Sequence, residues 1–310
     1  MGKSMMIWSS IKQFSLQRFV SSLLQAFGIL WLLVGVTAYF FSGRPWVVTI
    51  KSGWWVFLIS GIIIGFYRAW PRLSVKERIS DTDADVEVRV GDIFSQPYAV
   101  IIGSNTTFDT AMDDKTISHK SLQGQFTQKY CPSIPELDKQ IDFALQNVSP
   151  RNTRNKQDKP YGKSKEYELG TVAPIHIGGK RAYFVSIAVL NEHRVATSDR
   201  DDFLDSLPRM WAEIRRRGEF EPLCCPVLGA GFSRLNLTRE ELIREIIKSF
   251  VTAIVEAKFC ENLTVVISPK DFREGHVDLM KIGRFLEHEC IYARSISKPR
   301  GTSPIGTPIA

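Results

Sequence analysis

Residues 19–41 read FVSSLLQAFGILWLLVGVTAYFF and carry no charged side chain across 23 positions. As a helix, such a run reaches about 34 Å, more than the roughly 30 Å hydrocarbon core of a bilayer. A stretch this long and this apolar is poorly suited to the surface of a water-soluble domain, so it decides how the chain divides. A second uncharged run, SGWWVFLISGIIIGFY over 52–67, holds 16 residues and reaches about 24 Å. Val47 to Ile50 extend it if Lys51 snorkels to the interface. Trp54, Trp55 and Trp70 lie near its ends, where amphipathic rings partition. The competing readings are a cleaved secretory signal for the first run and a re-entrant or surface-lying segment for the second. Against a signal stand the length of the first run and the lack of a small-residue cleavage site. The expectation is a two-span transmembrane hairpin over 19–71, entering a lipid bilayer behind a short N-terminus (1–18).

Charge follows the same division. The chain has a formal net charge of +7, which taken alone suggests a nucleic-acid partner. Residues 1–72 hold seven of the basic residues (Lys3, Lys12, Arg18, Arg44, Lys51, Arg68, Arg72) and no acid, leaving 33 bases against 33 acids in the rest. A neutral domain is poorly suited to tracking a phosphate backbone, so no nucleic-acid partner is expected. Lys3, Lys12 and Arg18 precede the first run, Arg68, Arg72, Lys76 and Arg78 follow the second, and only Arg44 and Lys51 lie between. That bias predicts both termini in the cytoplasm, with the chain in the inner cell membrane. The five cysteines are odd in number, Cys224 and Cys225 are adjacent, and no CxxC pair occurs. Buried free thiols fit this pattern better than disulfides or a zinc site.

After a charged linker at 72–84, apolar runs alternate with helical patterns. VEVRV (86–90) and YAVIIG (98–103) read as strands, and 134–147 reads as a helix. Residues 148–166 are polar and read as an exposed loop. Residues 167–190 read as two strands joined at Gly178-Gly179. FLDSLPRMWAEIRRRG (203–218) reads as a helix, with Pro208 moving its start to near Ser206 and Gly218 as its C-cap. EPLCCPVL (221–228) is nearly continuously apolar, as in a strand covered on both faces. Thr238 and Glu241 form a capping box ahead of the stripe Leu242, Ile243, Ile246, Ile247, Phe250, Val251, Ile254. LTVVIS (263–268) is a last strand and 275–288 a last helix. The tail at 294–310 reads as disordered. The fold class is α/β, a mixed sheet sandwiched between helices over 85–293, preceded by the two-helix hairpin.

Most enzyme templates fail. GAGFSR, from Gly229 to Arg234, lacks the third glycine of GxGxxG. Gly162-Lys163-Ser164 would need a glycine at 157, where Gln stands, so a Walker loop is excluded. The five histidines show no metal spacing, no GxSxG occurs, and no catalytic or metal-ligating residue is expected. Three features remain, each at the end of a strand, where open α/β sheets bind ligands: Gly91-Asp92-Ile93, Ser104-Asn105-Thr106, and Leu228-Gly-Ala-Gly-Phe-Ser-Arg234.

In this order the three resemble a macro domain, an ADP-ribose-binding module. The resemblance implies that Asp92 accepts a hydrogen bond from the adenine amino group, with Ile93 beside the ring. Ser104, Asn105 and Thr107 would lie near the distal ribose. Leu228, Gly229, Ala230, Gly231, Phe232, Ser233 and Arg234 would wrap the diphosphate, with Arg234 adding a charge-assisted contact. The chain departs from the family at Ile102, which takes the place of an asparagine. The triple-glycine loop of hydrolytic members is replaced by Ile117–Phe126, from which Ser121, Gln123, Gly124 and Gln125 are carried into the site. These departures speak against ADP-ribosyl hydrolysis and leave binding possible, although Asn105 and Asp109 keep a membrane-anchored hydrolase as the rival reading. Two spans followed by such a domain resemble the membrane effectors of macro-type Thoeris anti-phage systems. In that family a partner TIR-domain protein makes a histidine-conjugated ADP-ribose, and the effector responds by damaging the membrane. The resemblance implies no cofactor beyond this ADP-ribose-derived ligand, and a homo-oligomer is expected.

Overall fold

The computed structural model describes residues 16–40, 54–69, 73–114, 116–157, 159–190, 196–231 and 235–293. Contacts divide the chain into two units, Met1–Leu73 and Ser74–Ala310.

In the first unit, α1 spans Leu16–Phe40 and α2 spans Trp54–Ala69. The two pack against each other. Gly61 and Gly65 are buried, and a Cβ on Gly61 would stand 3.7 Å from Leu23 Cδ1, so the small residues allow close approach. Large apolar side chains face outward instead, Leu24 at 66% and Trp31 at 65% exposure. Among the described residues one helix, Val20–Phe40, is long and apolar enough to cross a membrane. α2, with 16 residues, falls short by length unless flanking residues extend it. Those flanks, with Lys51, Trp70 and the inter-helix loop, lie outside the described residues, as do Lys3, Lys12, Arg44 and Arg72.

The second unit is built around an eight-stranded sheet. Its strands are β1 (Ser74–Arg78), β2 (Asp85–Val90), β3 (Ala99–Asn105), β6 (Val172–Ile177), β7 (Lys180–Leu190), β8 (Ala196–Thr197), β9 (Leu223–Pro226) and β10 (Asn262–Ile267), while β4 (Asn152–Thr153) and β5 (Lys165–Glu166) form a separate small hairpin. The order is β1-β2-β10-β9-β3-β7-β6, with β8 pairing β7. The five central strands run parallel, and β1 and β6 pair antiparallel at the edges. The parallel strands β3 and β9 are apolar on both faces because both are covered. Val100 and Ile102 face α3 (Leu122–Tyr130) and α4 (Ile134–Leu145) in one cluster, and the intervening Ile101 is fully buried on the opposite side. The other helices are α5 (Arg200–Arg217), α6 (Arg239–Glu256), the short α7 (Pro269–Arg273) and α8 (Leu279–Ile291). α5 and α6 join through Trp211, whose Nε1 donates to Ser249 Oγ at 2.9 Å and whose ring meets Phe250 edge-on.

Several local expectations hold. Thr238 and Glu241 form the capping box, and all seven stripe residues of α6 are buried. Gly178 (φ 56°) and Gly179 (φ 71°) make the β6–β7 turn, the left-handed pair a tight hairpin requires. The described cysteines form no disulfide; four are buried and Cys131 is partly so. Burial pushes the thiols of Cys224, Cys260 and Cys290 up to about 12.

Others are corrected. Within the expected linker, Ser74–Arg78 forms edge strand β1, joined to β2 by the Lys76–Asp85 ion pair at 2.7 Å; its charges protect an open edge. α5 begins at Arg200 and carries Pro208 in its interior, so burial of Phe203 and Leu207 outweighs the one backbone hydrogen bond that proline removes. The last helix begins at Leu279 rather than 275, because Asp278 caps it, its side chain accepting from Met280 N. The tail at 294–310 lies outside the described residues.

Candidate functional site

β2, β3 and β9 are parallel strands, so the segments that follow them emerge at one carboxyl edge. The order β2-β10-β9-β3 places the β9 loop between the other two. All three sequence features therefore come to the same edge, the place where open parallel sheets leave room for a ligand.

Gly91 N donates to Ile267 O at 3.0 Å, tying the first loop to neighbouring β10. Asp92 then caps a 3-10 turn, Ile93–Ser95, its Oδ1 accepting from Phe94 N at 3.0 Å. The carboxylate is exposed, whereas Ile93 and Phe94 are buried. Ile93 therefore sits in the core beneath the loop, and Asp92 keeps one carboxylate oxygen for a partner.

At the end of β3 the chain makes a tightly bonded turn. Asn105 is 5% exposed, and its Oδ1 lies 3.1 Å from both Thr107 N and Asp109 N and 3.0 Å from Thr107 Oγ1. Two backbone donors fix which end of the carboxamide faces the turn, so the NH2 points away from it. That NH2 has no partner among the described residues. Ser104 Oγ is buried and likewise unpartnered. Thr107 also donates to Asp109 Oδ2, at 2.7 Å. The Asp109 side chain is completely buried and paired with Lys159 Nζ at 2.8 Å.

The third loop splits by glycine. Gly229 has φ 77°, and a Cβ there would overlap Leu235 Cδ1. Ala230 N closes the turn onto Val227 O at 3.2 Å. Leu228 is buried and packs beside Gly103 and Ile187, joining this loop to β3. Gly231 is exposed, with nothing within 4 Å of a Cβ. Phe232, Ser233 and Arg234 lie outside the described residues.

The Ile117–Phe126 segment has a structural explanation for each expected contact. Ser121 is the N-cap of α3 and accepts from Gly124 N at 3.0 Å. Gln123 Nε2 donates to Asp109 O at 2.7 Å, and Gln125 Nε2 donates to Lys120 O at 2.9 Å. Gly124 is required because a Cβ would overlap Ser118 O. Of these residues, Gln123 supports the Asn105–Asp109 turn.

Sequence reasoning missed two supports. Residues 148–166, expected as an exposed loop, contain the β4–β5 hairpin and the Lys159 anchor; no local pattern marks a lysine whose partner is 50 residues away. The second is Glu166, buried beneath the turn, which takes both Arg154 contacts at 2.8 Å and the Thr106 hydroxyl at 3.1 Å. The Arg154 guanidinium holds the Glu166 carboxyl below the usual carboxylate range. A cavity of about 860 Å³ opens beyond the turn, over Thr107, Phe108, Ile141 and Tyr167; it includes neither Asp92 nor the glycine loop. The ligand atoms of Asp271, Glu274 and His276 approach within 4.8 Å of one another, but only Asp271 is even partly buried, as expected of solvated groups around α7.

A mixed sheet between helices, with three loops at the carboxyl edge of its parallel strands, defines a macro-type ligand-binding domain. The chain belongs to the family described as Thoeris protein ThsA, Macro domain, whose model matches residues 86–268. A curated relative, the Thoeris protein ThsA of Bacillus amyloliquefaciens (strain Y2), is 25% identical over 212 residues, covering 65% of this chain and 68% of that protein. Among solved structures, a mutant macrodomain of Oceanobacillus iheyensis matches with a TM-score of 0.47 and 13% identity over 68% of this chain and 97% of that one. A second mutant of that macrodomain, described with ADPR, matches with a TM-score of 0.45 and 12% identity over 67% and 97%.

Proposed function

We propose that the Ser74–Ala310 unit is the receptor for an ADP-ribose-derived signal and that the N-terminal segment is its membrane effector. The observation that carries this reading is the gathering of three strand-end loops at one edge in a member of the Thoeris ThsA macro-domain family, with the Asn105 NH2 turned away from its own turn. In this reading Asp92 takes the adenine amino group on its remaining oxygen, Asn105 holds the distal ribose, and the Gly231 amide faces the diphosphate. The signal is histidine-ADP-ribose made by a TIR-domain partner. Binding favours an active homo-oligomer in the bilayer by the difference in its affinity for the two states, and the membrane is then disrupted.

A receptor role, rather than hydrolysis, is supported by Asp109. Its carboxylate is occupied by Lys159, Lys163 N and Thr107 Oγ1, which disfavours its use as a base for water. Isothermal titration of the full chain in mild detergent with ADP-ribose and with histidine-ADP-ribose tests the proposal. Binding, with the nucleotide recovered intact by chromatography, is expected. Binding of neither ligand refutes the receptor reading, and turnover moves the assignment to the hydrolase.

A further inference from the structure

We infer that Lys159, remote in sequence from every strand-end loop, is a positioning residue for the ligand site, acting through Asp109 and Thr107 on the Asn105 carboxamide. The inference rests on the receptor reading above and extends it to a residue that makes no ligand contact.

The side chains form one chain of contacts. Asn105 Oδ1 faces Thr107 N and Asp109 N, so the placement of those two residues sets the carboxamide plane. The single Thr107 hydroxyl proton has two acceptors, Asp109 Oδ2 at 2.7 Å and Asn105 Oδ1 at 3.0 Å. The nearer, charged carboxylate takes it, which locks Thr107 to Asp109.

Asp109 is in turn held from outside the turn. Lys159 Nζ reaches Oδ1 at 3.1 Å and Oδ2 at 2.8 Å, and Lys163 N donates to Oδ1 at 2.6 Å. The lysine is itself saturated, since Nζ also donates to Tyr161 O at 2.9 Å and Lys163 O at 2.8 Å. The side chains of Lys159 and Asp109 are 7% and 0% exposed. Gly162, at φ 69°, lets the loop close over the carboxylate, because a Cβ there would overlap Asp109 Oδ1. A lysine that served only to hold a surface loop would not need to reach an acid whose backbone N–H orients Asn105.

The test separates positioning from general stability by using two ligands that share adenosine and diphosphate. ADP lacks the distal ribose assigned to Asn105, and ADP-ribose carries it. The full chain in detergent is titrated with each. In Lys159→Met, ADP-ribose affinity is expected to fall about tenfold, the scale of a lost charge-assisted contact, while ADP affinity stays within about twofold. Lys159→Met leaves a buried carboxylate uncompensated, so Lys159→Met/Asp109→Asn, a neutral pair of similar volume, is run beside it and is expected to show the same ligand-selective loss. In either background Asn105→Ala should add little further, as for residues acting in one chain. Equal losses for both ligands, or no loss for either, overturn the inference while the receptor reading stands. Failure of the unmodified chain to bind either nucleotide overturns both.

Discussion

A Cβ on Gly124 would overlap the carbonyl oxygen of Ser118. The backbone of the 117–121 loop thus lies directly on the first turn of α3, and only a residue without a side chain permits it. Ser121 makes the approach reciprocal, accepting from Gly124 N at 3.0 Å and donating to Ser118 O at 2.7 Å. Gly124→Ala must therefore move backbone rather than a side-chain tip. The expected cost is about 1–3 kcal/mol, read as a fall in the melting midpoint of the Ser74–Ala310 unit. An unchanged midpoint would show that the loop has slack.

The two glycines after β9 should behave differently. Gly229 has a left-handed φ of 77°, so Gly229→Ala is expected to cost about 1–2 kcal/mol in strain alone. Gly231 has open space around it, and Gly231→Val should leave the midpoint within about 0.5 kcal/mol, as for an ordinary surface change. If the diphosphate approaches that backbone, the same Gly231→Val variant loses ADP-ribose affinity. Thermal melts and titration of both variants give the answer, and retained affinity in Gly231→Val would remove this loop from the site.

These contrasts show what the sequence disclosed. The strands that set the edge were legible because AVIIG and LCCP are apolar runs that suit a covered sheet and VEVRV alternates with the period of a strand, and α6 announced itself through Thr238, Glu241 and its buried stripe. The three loops followed from strand ends alone. The residues that hold the site in shape were hidden: Asp109 meets Lys159, and Glu166 meets Arg154 and Thr106, by tertiary folding that no local period encodes. Residues 117–125 hid a second use: Ser121 caps α3, and Gln123 and Gln125 donate to the carbonyls of Asp109 and Lys120.

Glu166 gives a pH test. Its carboxyl is held below the usual range, chiefly by the hydrogen-bonded Arg154, so the folded state binds that proton less readily than the unfolded chain, whose value is near 4.3. The stabilisation is therefore fully present above about pH 5 and is lost as pH falls through the folded-state value. Glu166→Gln is expected to cost about 1–3 kcal/mol at pH 7. The gap between variant and parent should narrow as pH drops below 4, because the unfolded parent then takes up a proton that the folded state binds less readily. Urea melts at pH 7 and pH 3.5 measure it, and a gap of constant size would place the stabilisation elsewhere.

The last prediction concerns α1. Its outward side chains, Leu24, Ile29, Trp31, Leu32 and Leu33, are each at least 58% exposed, and no charge interrupts the run. In water so much contiguous apolar surface would drive association, whereas in a bilayer it is solvated. The full chain is therefore expected in the membrane fraction and should resist extraction by alkaline carbonate. A chain lacking residues 1–72 should leave that fraction. Leu32→Arg places a charge near the middle of Val20–Phe40, at an insertion cost of about 2.5–3.5 kcal/mol, and should reduce the carbonate-resistant share. The truncated chain serves as the control, since persistence of its membrane association would place the attachment in the ligand-binding unit instead.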